Sequence, residues 1–550
     1  MNEREMSVFG PDFCFSYDAW LDDPAGLGTL PTDARWTEVA VIGAGISGVV
    51  AAHELMKLGL RPVVYERGRM GGRLRSQRFG AADDVVAELG GMRFPHSGRA
   101  FYHYVDQLGL STRPFPNPLT EAAPSTVIDL FGETYRGRTL GDLPPVFGEV
   151  ARAWDGALAE LADLPALHEA MRNRDVATVS ALWHELVPTW DDRTFYDFLA
   201  VSPSFSSLPF RHREIFGQVG FGTGGWDSDF TISMLEILRV VGGELEEEQQ
   251  LIVEGAEQVV RRLWAHDPPM PHWPEGTSLA SLNSGAPRPG VAAIRRHPSG
   301  DIEVVDRNDV SRNYPAVLVT TQSWLLTTAM DVDEDLFSVD MWMALDRTRY
   351  RPSSKTFVMV DRPFWNDVDE ETGEPVMGMT LTDRNTRGTY LFDNGPDRPG
   401  VICLSYAWDG DAQKVVSKTV DERADLALRT LERIHPGANI ASHVIGEPIT
   451  VSWETDPAFL GAFKGALPGH YRYHRRMYSH FVQDELPAEQ RGIFLAGDDI
   501  SWIPGWAEGA VQTALNAVWG MLHHFGGSTP AQNPGPGDVW DERAPIRLPE

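Results

Sequence analysis

Val39-Ala-Val-Ile-Gly43-Ala-Gly45-Ile-Ser47-Gly48 is followed by Val63-Val64-Tyr65-Glu66. The first run reads as a buried strand, a glycine turn and a helix start. The second reads as a strand that ends on an acid. Gly43 permits the tight turn, Gly45 lets backbone approach a pyrophosphate, and Gly48 lets helix and sheet pack closely. The pyrophosphate would lie on the helix N-terminus, where unpaired N–H groups and the dipole favour anions. Glu66 stands at the distance expected of a ribose-binding acid. A bare glycine motif is weak evidence, but flanking strands and a correctly placed acid make it a dinucleotide site.

Working outward, Met70-Gly71-Gly72-Arg73-Leu74-Arg75 comes just after the second strand. It offers flexible backbone and guanidinium forks to the same phosphates. This element is common in FAD enzymes of the amine oxidase type and is not needed for NAD, so the dinucleotide is read as FAD.

The chain has 550 residues, enough for several domains and a large core. Its formal net charge of −30 argues against nucleic acid and anionic membrane surfaces, both of which need basic patches. Cys14 and Cys403 are the only cysteines, so no disulfide framework or cysteine-rich metal site can form. No metal-ligand spacing is present. The N-terminus lacks a basic and apolar leader pattern, and no apolar run reaches membrane-spanning length. The expectation is a soluble, cytoplasmic protein.

The nucleotide signals lie at both ends of the chain. The expected fold is α/β with mixed α+β character: a Rossmann-type FAD-binding domain built from discontinuous segments, plus a substrate-binding domain with a mixed sheet and a helical part. The segments are an N-terminal arm at 1–36, FAD-binding pieces at 37–115, 250–320 and 485–525, substrate-binding pieces at 116–249 and 321–484, and a tail at 526–550. Residues of about 140–215 have helical spacing. Residues 265–290 read as a loop, and Glu244-Leu-Glu-Glu-Glu-Gln as a solvated turn. His523 and His524 close the last helix and read as structural.

Four further stretches resemble the flavin amine oxidase superfamily. They are Glu88-Leu-Gly-Gly91-Met92-Arg93-Phe-Pro; Ser353-Ser-Lys355 running to Pro363-Phe-Trp365; Val451-Ser-Trp453 with Gly461-Ala462-Phe463; and Gly497-Asp498-Asp499 through Pro504-Gly-Trp506-Ala-Glu-Gly-Ala510-Val511. The resemblance implies that Arg93 clamps a substrate carboxylate and that Lys355 holds a water near the flavin. It implies that Phe463 and Trp506 form two aromatic walls. It further places Gly91, Met92, Arg93, Val291, Trp453, Gly497, Asp498, Ala510 and Val511 around the cofactor, together with Gly43, Gly45, Ser47, Gly48, Glu66, Gly72 and Arg73 from the glycine elements. Ala462 replaces the flavin-linked cysteine of monoamine oxidases, which implies non-covalent FAD.

Phe9-Gly-Pro-Asp-Phe, Asp191-Asp-Arg-Thr-Phe-Tyr-Asp-Phe198, Phe221-Gly-Thr-Gly-Gly-Trp-Asp227-Ser-Asp229 and Pro468-Gly-His-Tyr-Arg-Tyr narrow the resemblance to the bacterial L-lysine 2-monooxygenase/oxidase group. That group implies decarboxylating oxidation of a basic L-amino acid, L-lysine first and L-arginine as the alternative. The products are the shortened amide, carbon dioxide and water, with an oxidase side path to 2-oxo acid, ammonia and peroxide. Asp229, and less so Asp227, would meet the distal cation; capping within a glycine-rich loop is the other reading of both. Trp226 beside them could instead be core. Leu245 falls where lysine-acting relatives carry a cysteine, which leaves the balance between the two outcomes open. A predominantly oxidase activity or a polyamine substrate remain rivals, and a polyamine would leave Arg93 without a carboxylate. A homodimer is expected by analogy.

Overall fold

The computed structural model describes residues 10–80, 82–220, 226, 228 and 230–549. Two sheets organise it. The first is parallel, in the order Ile493–Leu495, Val317–Val319, Glu38–Ile42, Arg61–Glu66, Arg288–Pro289. Ile42 lies opposite Val319 on one side and Tyr65 on the other. Parallel strands need cover on both faces, and Val39, Ala40 and Val41 are fully buried. Helices Ile46–Leu58 and Ala507–His524 pack together over one face. An antiparallel layer of Val291–Arg296, Ile302–Asp306 and Ser311–Tyr314 belongs to the core on the other.

The chain at 265–290 is not loop throughout. It forms the short helix Leu279–Leu282 and the edge strand Arg288–Pro289. Asn283, at the helix end, donates to the Pro62 carbonyl and accepts from the Val64 N–H. Such side-chain bonds to a neighbouring strand leave no periodic mark in sequence.

The second sheet has seven strands in the order Val444–Ser452, Ser353–Val360, Gly400–Trp408, Gly388–Phe392, Met379–Thr382, Thr126–Leu130, Glu133–Gly137. Its pairs are antiparallel except Met379–Thr382 with Thr126–Leu130. Helices Pro145–Leu161, Leu164–Asn173, Val176–Trp190, Phe195–Val201, Phe210–Val219 and Met234–Gly242 form a separate layer. Their starts are set locally: Asp163, Asp175 and Thr194 each accept a backbone N–H three residues on.

The arm is tied into the core. Tyr17 and Trp20 are buried, and the Tyr17 hydroxyl donates to Asn516 at 2.8 Å. Asp12 accepts from Arg239 Nε at 2.6 Å and Nη2 at 3.0 Å. His524 Nε2 lies 3.1 Å from the Pro315 carbonyl. Among the described residues no helix is long and apolar enough to cross a membrane.

Candidate active site

A cavity of about 2180 Å³, counting the space open at its mouth, runs from the parallel sheet to the seven-stranded one. Gly43, Gly45, Ser47, Glu66, Gly72 and Arg73 line its nucleotide end. A Cβ on Gly48 would sit 2.0 Å from the Gly43 carbonyl, so only glycine lets the helix start this close to the turn. Gly72, at φ +61°, approaches Gly45 so closely that a Cβ would stand 3.2 Å from its Cα. Glu66 accepts from the Ala44 N–H at 2.9 Å and the Gly68 N–H at 2.7 Å. Burial still holds its pKa above the ordinary value. Gly48 and Val511 do not line the cavity: Gly48 packs against Gly43, and Val511 is fully buried within the final helix.

This cradle fits a dinucleotide: bare backbone at a helix N-terminus, then a half-buried carboxylate one strand over. Val291, Gly497, Asp498 and Ala510 line the same space, and Trp506 is the N-cap residue of helix Ala507–His524. Arg73 reaches the same end of the cavity, where its guanidinium closes two-pronged on the Asp498 carboxylate and donates to the Ala462 carbonyl at 3.0 Å. Burial works against that cation, but Asp498 outweighs it and keeps the pKa raised.

The other end holds the groups that would meet a substrate. Gly91, Met92 and Arg93 lie on the turn after strand Ala82–Glu88, which the Phe94–Gln250 bridge fixes. Arg93 Nη1 is buried without a hydrogen-bond partner. The guanidinium lies 5.7 Å from the Phe115 ring centre and 5.9 Å from that of Tyr406. Burial opposes its charge, and Tyr390, Glu246 and Tyr406 more than offset this. Among the described residues it forms no ion pair.

Lys355 is 3% exposed, and its register opposite Tyr406 puts its ammonium 4.8 Å from that ring centre. It donates to the Glu88 carbonyl at 3.1 Å and the Gly90 carbonyl at 2.5 Å. One of three donors is left over. Burial brings its pKa down to about 8. Trp453 Nε1 donates to the Leu89 carbonyl at 3.1 Å, bracing the same turn.

Phe463 and Trp506 both line the cavity, with Trp408 edge-on to Phe463 at 5.5 Å. Trp226 and Phe230, 4.4 Å apart, continue this aromatic lining. Asp227 and Asp229 lie outside the described residues. Tyr406, Trp408, Lys464 and Glu246 also line the cavity, and none of them lies in a motif legible in the sequence. The turn at 244–249 is not solvated throughout: Leu245 is fully buried against Ile503, Gln249 is buried, and Glu246 faces the cavity. A run of acids reads as surface because charge is costly to bury, and nothing local reveals that Arg93 faces one of them. Among the described residues, no group of three or more His, Cys, Asp or Glu is placed to hold a metal ion.

Comparison with known proteins fits this geometry. Residues 46–522 match the family model described as flavin containing amine oxidoreductase. A tryptophan 2-monooxygenase of Pseudomonas savastanoi is 30% identical over 95% of this chain and 96% of its own length. One of Rhizobium radiobacter is 30% identical over 95% of this chain and 71% of its own. In structure, wild-type putrescine oxidase bound to putrescine superposes with a TM-score of 0.64 at 19% identity, covering 88% of this chain and 99% of that one. The last likeness concerns the fold alone.

Proposed function

Because the chain belongs to the flavin containing amine oxidoreductase family, we propose that it performs 2-monooxygenation of a basic L-amino acid, L-lysine foremost. It is an FAD-dependent amino acid monooxygenase/oxidase. The proposed reaction consumes one oxygen molecule per amino acid and yields the amide one carbon shorter, carbon dioxide and water. A side path gives 2-oxo acid, ammonia and peroxide.

The observation that carries this reading is the unpartnered Arg93 Nη1 inside an aromatic-walled cavity. A planar guanidinium matches a carboxylate, and a simple amine would leave it unused. Bound FAD would supply the two-electron acceptor and the means of activating oxygen. The residues around it have the tasks of orientation and water exclusion. Arg93 fixes the carboxylate and hence the position of the α-carbon. Phe463, Trp506 and Trp408 confine that carbon between apolar surfaces. Lys355, anchored on two carbonyls, keeps a donor for a water or an oxygen species. Ala462 offers no sulfur for a covalent link, so the flavin is held non-covalently.

A basic side chain is suggested by the stretches at 9–13, 191–198, 221–229 and 468–473, which resemble the lysine-acting group. It is also supported by the aromatic faces of Trp226 and Phe230, which attract a cation. Asp227 and Asp229, their neighbours in sequence, are the proposed counter-charges. A second reading, an aromatic L-amino acid, is favoured by the same ring surfaces and by the two tryptophan 2-monooxygenases.

The test is aerobic incubation with a panel of L-amino acids, with products identified by mass and peroxide assayed. Shortened amide from L-lysine with little peroxide supports the proposal. Turnover of L-tryptophan alone moves the substrate to the second reading. Stoichiometric peroxide with 2-oxo acid makes the protein an oxidase.

A further inference from the structure

Glu246 sits on the turn between helix Met234–Gly242 and strand Gln250–Ile252, and it lines the cavity. The turn is braced: Gln249 Nε2 donates to the Leu245 carbonyl at 2.9 Å and to Glu246 Oε2 at 3.2 Å, and Asn117 holds Gln249 Oε1 at 3.0 Å. Gln250 exchanges both backbone hydrogen bonds with Phe94, at 2.8 and 2.9 Å. Phe94 follows Arg93 directly. Two distant segments are thereby stitched so that a carboxylate and a guanidinium share one end of the cavity.

The two groups do not touch as an ion pair, yet each acts on the other. Burial pushes the Glu246 pKa up to about 7, against the opposing pull of Arg93 and Gln249 and with help from Glu247. Tyr390 and Tyr406 face Arg93, and Arg93 in turn acts on Lys355. Among the described residues, the other carboxylates lining the cavity are engaged elsewhere: Glu66 by backbone N–H groups, Asp498 by Arg73, and Glu236 by Arg239 at 2.9 Å.

We propose that Glu246 is the resting counter-charge of Arg93 and the acceptor of the proton that the substrate's α-ammonium must lose. This rests on the reading of Arg93 as the carboxylate clamp. An amino acid arrives as a zwitterion. When its carboxylate occupies Arg93, the charge that kept Glu246 ionised is cancelled, and the affinity of Glu246 for a proton rises. The same event delivers the ammonium, one carbon from the carboxylate, to that end of the cavity. An N–H bond of the ammonium breaks, an O–H bond forms on Glu246, and no electrons change hands. The freed amine lone pair is what lets hydride leave the α-carbon.

The experiment uses the full flavin-loaded chain and two carboxylates that lack the α-amine: 6-aminohexanoate, matching lysine, and indole-3-propionate, matching tryptophan. Calorimetric titration at about pH 8, in buffers of different ionisation enthalpy, counts protons taken up on binding. Wild type should take up a substantial fraction of one proton per ligand, and Glu246→Gln clearly less, keeping only the share that Lys355 gains when the Arg93 charge is neutralised. The acid limb of the kcat/KM profile should move by a pH unit or more in Glu246→Gln, with Glu246→Asp in between. Equal uptake in wild type and Glu246→Gln overturns the proposal. If the variant fails to retain flavin, wild type alone decides, since binding without proton uptake overturns it equally. Absence of any binding of either carboxylate, together with no turnover of any L-amino acid, would instead remove the clamp reading.

Discussion

Arg73 and Asp498, 425 residues apart, close a two-pronged ion pair that joins the glycine-rich segment to the last strand's turn. Asp498 also accepts the Gly505 N–H at 3.0 Å, so one carboxylate ties the nucleotide cradle to the loop that carries Trp506. Asp498→Ala leaves a largely buried guanidinium unpaired and should cost about 3–5 kcal/mol of stability. It should also lower the flavin retained per chain. Denaturant midpoints and the flavin-to-protein absorbance ratio check both, and Asp498→Asn should fall between.

Gly48→Ala places a methyl carbon 2.0 Å from the Gly43 carbonyl, a backbone atom that cannot step aside. The expected loss is about 3 kcal/mol, at the upper end for overpacked sites. Thermal melts of the purified variant with and without added FAD check it. A melting temperature unchanged in both would contradict the tight packing of turn and helix.

Lys464 donates to the Asp499 carbonyl at 2.8 Å, and burial, partly offset by Glu236 and Asp499, lowers its pKa from 10.5 to about 8. Between those values the unfolded chain keeps a proton that the folded chain has shed. This residue therefore adds stability as pH rises from about 8 to 10.5. Lys464→Met should compare best with wild type below pH 8 and lose up to roughly 3 kcal/mol of that advantage as pH nears 10.5. Urea midpoints of both proteins at the two ends of the window measure the difference.

Lys355→Met removes an ammonium anchored on the Glu88 and Gly90 carbonyls. Stopped-flow kinetics should separate its effects. Reoxidation of reduced enzyme by oxygen should slow by about 10²-fold, the usual scale for one positioned proton-handling group. Anaerobic reduction by substrate should change far less.

The sequence made the nucleotide end legible because its evidence is local. The turn of Gly43 to Gly48 and the acid at 66 lie within one strand-helix-strand unit, where spacing alone fixes geometry. The substrate end is different. Tyr406 meets Lys355 only because two antiparallel strands pair in that register. Glu246 shares the cavity with Arg93 only because Gln250 bridges to Phe94. Neither pairing has a sequence signature. Arg73 shows a related limit: its proximity to the cofactor segment was readable, but its partner is set by a strand near the other end of the chain.

The central claim is that Arg93 grips the α-carboxylate. Anaerobic mixing of the flavin-loaded protein with an amino acid and with its own decarboxylated amine tests this most directly. L-lysine against cadaverine and L-tryptophan against tryptamine are the pairs. The amino acid of at least one pair should bleach the flavin at least 10²-fold faster than its amine, and Arg93→Ala should abolish that preference. Equal bleaching by amine and amino acid in wild type, or a preference that survives in Arg93→Ala, would contradict it.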